Sequence, residues 1–178
     1  MSFFARLLGT APDPVEAVRP LWHRVVAISR QPDHYARCGV ADTIDGRFDM
    51  IVHILSLTML RMEASSDPGS DLGLQTARLT ELFVEDMDGQ LRENGIGDVV
   101  VGKHIGRLMG ALGGRMAALR KVMARRDAAA LAEVLERNIH WNDSPDPPAL
   151  AVRLLDLSAE LAARSDAEVL AGNFGEPQ

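Results

Sequence analysis

Five histidines, His23, His34, His53, His104 and His140, and a compact acidic group, Glu85, Asp86 and Asp88, are the residues of this chain best suited to proton transfer or metal binding. A metal site on a helix needs ligands one turn apart, and no two of the histidines stand at i, i+4. The acidic group ends at Gly89 without the rest of a calcium-loop pattern. A solvated helix face, with Asp88 paired to Arg92 at i, i+4, accounts for it more simply. Cys38 is the only cysteine, which excludes an internal disulfide and a thiolate metal cluster. A catalyst brings a nucleophile or metal together with acid, base and orienting groups, and these residues do not converge in that way. The expectation is a protein that is not an enzyme. The alternative is an enzyme using Asp86, Asp88 and a histidine as acid and base or as metal ligands.

Positive charge gathers elsewhere: Lys103, Arg107, Arg115, Arg120, Lys121, Arg125 and Arg126 lie on and just after one helical segment. A solvated face and the favourable effect of cations near a helix C-terminus explain much of this. The sharper reading makes Arg107, Arg120, Lys121, Arg125 and Arg126 a contact for anionic membrane or ribosomal RNA. The formal net charge of -6 and pI near 5.3 argue against a DNA partner. Gly102, Gly106, Gly110 and Gly114 recur every four residues along the same segment. Each costs about 1 kcal/mol relative to alanine inside a helix, so close packing of another helix of this chain is expected to compensate, with a client groove as the alternative. Methionines 50, 59, 62, 87, 109, 116 and 123 fall in the central segments, as core or as an adaptable apolar lining.

The elements that position these groups read as helices throughout. Apolar residues make up 47% of the chain with few aromatics, and no segment keeps a two-residue alternation. One all-α domain, a bundle of about six to eight helices, follows. A first helix is expected over Pro14 to Ser29, kinked at Pro20, with Val15, Val18, Trp22, Val25, Val26 and Ile28 towards the core. Gln31 to Gly39 forms a short helix or elbow. Asp42 or Thr43 caps a helix running to Glu63, whose segment Ile51 to Leu60 is apolar nearly all round and therefore central and buried. After a break at Ala64 to Asp71, a helix spans Leu72 to Glu93, and Asn94, Gly95 and Gly97 turn the chain. Asp98 caps the next, which runs to Met123 with Val101, Ile105, Leu108, Met109, Leu112, Met116, Leu119 and Met123 on its apolar stripe. Ala128 to His140 and Leu150 to Ala163 supply two more. Residues 1–12 are expected to be a short helix or arm, 13–171 the domain, and 172–178 a disordered tail.

Two blocks carry a specific likeness. DTIDGRFDMIVHILSLTMLRM, from Asp42 to Met62, and LFVEDMDGQLRENGIGDVVVGKHIGRL, from Leu82 to Leu108, resemble the ubiquinol-cytochrome c chaperone family. The matching positions are Asp45, Gly46, Arg47, Phe48 and Asp49, then Glu85 to Asp88, then Gly95, Gly97, Asp98, Gly102 and Lys103, and the segment Arg30 to Thr43 is also similar. The likeness covers Val15 to Arg126. It departs where family members often carry an aromatic at the position of Leu112 or Gly113, and fewer glycines in that helix.

The resemblance implies a chaperone that binds newly made cytochrome b and promotes assembly of ubiquinol-cytochrome c oxidoreductase, possible further partners being the ribosome, an anionic membrane surface and a small partner subunit. It implies client contact or scaffold duty for Asp45, Arg47, Asp49, Asp86, Asp88, Arg92, Lys103 and Arg115. Within that group Asp45 and Asp49 are expected to cap and orient a helix, with Arg47 and Arg92 joining them in an ion-pair network. The longest apolar stretch, Met50 to Met62, falls short of the roughly 20 residues of a transmembrane helix. Met1 to Leu8 lacks a signal-peptide pattern, although Phe3, Phe4, Leu7 and Leu8 can touch a membrane surface weakly. The expected location is the cytoplasm, peripheral at the inner face of the inner membrane.

Overall fold

The computed structural model describes residues 14–65, 72–93 and 101–175. A 3₁₀ turn, Pro14–Val18, leads into helices α1 (Arg19–Ser29), α2 (Pro32–Ala36), α3 (Ile44–Glu63), α4 (Leu72–Glu93), α5 (Val101–Met123), α6 (Ala128–Glu136), α7 (Pro147–Ala163) and α8 (Asp166–Leu170). Among the described residues there is no strand, and Val40 and Trp141 form an isolated bridge.

Helix α3 is the axis of the bundle and packs against α1, α4, α5 and α7. Every residue from Met50 to Met59 is buried, as the all-round apolar surface of that segment requires. Three polar residues within it, His53, Ser56 and Thr58, are satisfied only in part. Thr58 Oγ1 donates to the Ile54 carbonyl and His53 Nδ1 to the Asp49 carbonyl, whereas Ser56 Oγ and His53 Nε2 find no partner among the described residues. The helix starts where Thr43, in extended conformation, accepts the Gly46 amide on its side chain. Its last turn is tied down by Arg61, which donates to the carbonyls of Leu161 and Arg164 and to Asp166.

Aromatic packing joins the first half of the chain. Phe83 of α4 meets Trp22 of α1 edge-on at 6.1 Å and stacks on Phe48 of α3 at 6.4 Å. Helix α7 packs against α6 and the axis, α6 packs also against α5, and Leu131, Leu135, Leu150 and Leu154 of these two helices are fully buried.

Four expectations change. Pro20 causes no mid-helix kink, because the chain is a 3₁₀ turn up to Val18 and Pro20 sits in the first turn of α1, where its missing amide has no carbonyl to reach. Residues 172–175 are not a disordered tail: Phe174 is fully buried, Gly172 O accepts from Arg24, and the Gly175 amide donates to Glu160. The positive φ of Gly172 (+74) and Gly175 (+62) lets the chain fold back over α1 and α7. Gly106, Gly110 and Gly114 do not make room for another helix of this chain, since a Cβ at any of them would meet nothing within 4 Å. Met109 leaves the expected apolar stripe and is exposed. The arm at residues 1–12, most of the break before α4, the turn at Asn94 to Gly97 and the Asp98 cap lie outside the described residues.

Candidate functional site

The Asp45 to Asp49 motif occupies the first two turns of α3, and helical geometry divides it between two environments. Asp49 points inward: its side chain is 5% exposed. One of its oxygens accepts both the backbone amide of His140, at 2.9 Å, and His140 Nδ1, at 2.7 Å. The other lies 3.6 Å from an Arg115 nitrogen. The same guanidinium donates to the Asn138 carbonyl at 2.9 Å. One carboxylate thus ties α3 to α5 and to the link between α6 and α7. That link is further held by the Ala41 amide donating to the His140 carbonyl and the Asn142 amide to that of Gly39. Asp49 and Arg115 thus join separate elements of the bundle, and Asp49 meets Arg115 and His140 instead of the expected Arg47, which emerges on the opposite face.

Arg47 is exposed and pairs with Asp42 at 2.6 Å. This bond holds Asp42 below, and Arg47 above, their ordinary pKa values, with the hydrogen bond as the main cause in both. Asp45, Arg47 and Phe48 line a cleft of about 450 Å³ where the start of α3 meets α4 and α5. Its apolar lining includes Ile51, Met87 and Leu108, with Ile44, 75% exposed, at the mouth. Arg30 and Arg107 complete the rim. Arg30 and Arg47 also border an adjoining hollow lined by Tyr35 and Ala36, and Arg30 and Gln90 a third between α1 and α4.

The remaining expected site residues are dispersed. Asp86 lies in the α1–α4 groove beside Glu85 and accepts a hydrogen bond from Gln90 at 3.3 Å. Asp88 is half-buried on the same helix. The side chains of Arg92 and Lys103 lie outside the described residues. Arg120 pairs with Glu63 at 2.6 Å, while Lys121, Arg125 and Arg126 are exposed at and after the end of α5. The structure brings Asp45, Arg47 and Arg107 to one cleft, joins Asp49 to Arg115, and leaves the α5 terminal cations apart from both.

Among the described residues the histidine side chains stand apart from one another. His34 and His53 are buried, which lowers each to about 4, chiefly by desolvation. His34 Nε2 donates to the Ile28 carbonyl at 3.0 Å. His23 and His140 are exposed. Among the described residues no three His, Cys, Asp or Glu side chains are placed to hold a metal ion. Burial also raises the Cys38 thiol, the opposite of what a nucleophile needs.

Two features of the cleft escaped the sequence reading. Arg30 belongs to the rim although it lies outside the basic helix, and only the return of α4 and α5 past the end of α1 brings it there. Ile44 gave a signal, as an apolar residue between the polar caps Thr43 and Asp45.

Comparison with known proteins accords with this architecture. The family model described as ubiquinol-cytochrome C chaperone matches residues 36–176. A crystal structure of the Cbp3 homolog from Brucella abortus is similar over 99% of this chain and 97% of that one, with 28% sequence identity and a TM-score of 0.79. No curated protein matches the chain. Among the described residues, no helix is long and apolar enough to cross a membrane.

Proposed function

The chain belongs to the ubiquinol-cytochrome C chaperone family, and on that premise we propose that it binds newly synthesised cytochrome b and promotes assembly of ubiquinol-cytochrome c oxidoreductase. The observation that carries this reading is the family match over residues 36–176, which spans both the Asp45 to Asp49 motif and the helices around the cleft. The cleft between α3, α4 and α5 is the candidate client site. It offers apolar surface from Ile44, Phe48 and Ala111, backed by the buried Ile51, Met87 and Leu108, and Phe48 is stacked on Phe83. A groove of this kind suits an apolar helical segment before it reaches its place in a membrane complex. A holdase needs moderate affinity, because capture without release would block assembly. The protein works by binding alone, without cofactor or turnover, peripheral to the membrane at its cytoplasmic face.

The test is a deletion strain carrying a complementing plasmid, assayed for cytochrome b by its haem spectrum and for the assembled complex by quinol oxidation. Loss of both, restored by the plasmid, is the expected result. Normal levels while the complex is being made would sink the assignment. Lys121, Arg125 and Arg126, exposed at and after the end of α5, favour a second reading as a membrane- or ribosome-associated adaptor without holdase activity. In that case steeply salt-dependent binding to anionic vesicles or ribosomes replaces capture of cytochrome b.

A further inference from the structure

Resting on the reading of the α3–α4–α5 cleft as the client site, we propose that the cleft selects an apolar client helix carrying an aspartate or glutamate at the border of its apolar face. Among the described residues, the guanidinium groups of Arg30 and Arg47 border this cleft, with Arg107 further along it, one carboxylate, Asp45, in the lining and Asp42 bonded to Arg47, while the floor is apolar. The α3 N-terminus lies at the same mouth and adds positive potential from its first amides, partly offset by Asp45.

The consequence follows from desolvation. A wholly apolar helix pressed onto Ile44, Phe48 and Ala111 would strip water from the Arg30 and Arg47 side chains and return nothing for it. A helix with a carboxylate at the border restores the lost hydrogen bonds, and guanidinium offers a planar, bidentate match. A helix with lysine or arginine at that position meets like charge and is rejected. The bond from Arg47 to Asp42 is no obstacle. Both side chains are more than half exposed, so the pair is held weakly and exchanges partners at little cost. Arg30 and Arg47 also border the adjoining hollow by Tyr35 and Ala36, so they stand between the two.

The experiment uses the full chain and three labelled amphipathic peptides of leucine and alanine, identical except for glutamate, glutamine or lysine at one border position, followed by fluorescence anisotropy. The glutamate peptide is expected to bind about fivefold more tightly than the glutamine peptide, and the lysine peptide more weakly than either. Arg30→Gln or Arg47→Gln removes the preference. Arg47→Glu turns it towards lysine, an outcome that a merely unfolded variant cannot give. Asp42→Asn, which releases Arg47, strengthens the preference. Ile44→Ser weakens the glutamate and glutamine peptides alike. Equal affinity for all three peptides, or no response to the arginine variants, overturns the carboxylate preference while leaving the cleft as a docking groove. Binding by none of them overturns the cleft as the site, and if the deletion strain still loses cytochrome b, the assembly role stands on another surface.

Discussion

Asp49 and Arg47 are two residues apart in one motif and do opposite work. Asp49 is nearly sealed between Arg115 and His140, where one carboxylate fixes three parts of the bundle. Arg47 stands in solvent with Asp42, at the mouth of an apolar cleft. A shared motif therefore does not imply a shared role. Two residues along a helix is a turn of about 200°, which sends neighbours in sequence to opposite faces.

The buried side should fail first under acid. His34 and His53 are held neutral, with pKa values lowered from 6.5 to about 4 by burial. As pH falls below 6.5 the unfolded chain takes up protons that the native one refuses, so stability is full above that pH and declines until about 4. The loss is on the order of 3 kcal/mol for each histidine. Urea midpoints measured from pH 7 to pH 4 should fall steadily, and a flat profile would show that the two histidines are not sealed.

Asp49→Ala strands the Arg115 guanidinium and the His140 amide, and should cost about 3 kcal/mol in urea unfolding. A variant of near-wild-type stability that had lost client binding would instead move Asp49 to the recognition side of the comparison. Glycines on the two sides should respond with opposite sign. A Cβ at Gly46 would overlap the Ala41 carbonyl, so Gly46→Ala should destabilise by about 2 kcal/mol. Gly110→Ala meets open space and should stabilise α5 by about 0.5–1 kcal/mol in thermal unfolding. If the Gly110 face is a binding surface, that gain will come with weaker client capture. The smallest effect belongs to Arg47→Gln, for which an unchanged urea midpoint is expected, with any deficit confined to binding.

Much of this was readable from residue order. A cap at Asp42 or Thr43 and the nearly all-round apolar segment Ile51 to Leu60 marked α3 as the central helix, and α4 spans Leu72–Glu93 as its periodicity indicates. Local signals sufficed there because caps and helical periods act within a few residues. They misled at Pro20, where a 3₁₀ turn precedes the proline, and at the tail, where Phe174 in a short polar stretch gave no periodic sign of its burial. The glycine spacing in α5 was visible, but whether a neighbour filled it was not.

The sequence by itself determined that the chain is helical, which helix is central, that positive charge collects along α5, and, through two motifs, the family. Tertiary structure decided how those residues are shared out. Asp49 meets Arg115 and His140 only because α5 and the α6–α7 link return to the start of α3, across separations of 66 and 91 residues. Arg30 joins Arg47 and Arg107 around one cleft for the same reason. Helix formation follows from contacts within a turn or two, whereas a site made from distant segments depends on which faces the packed bundle buries and which it leaves to solvent.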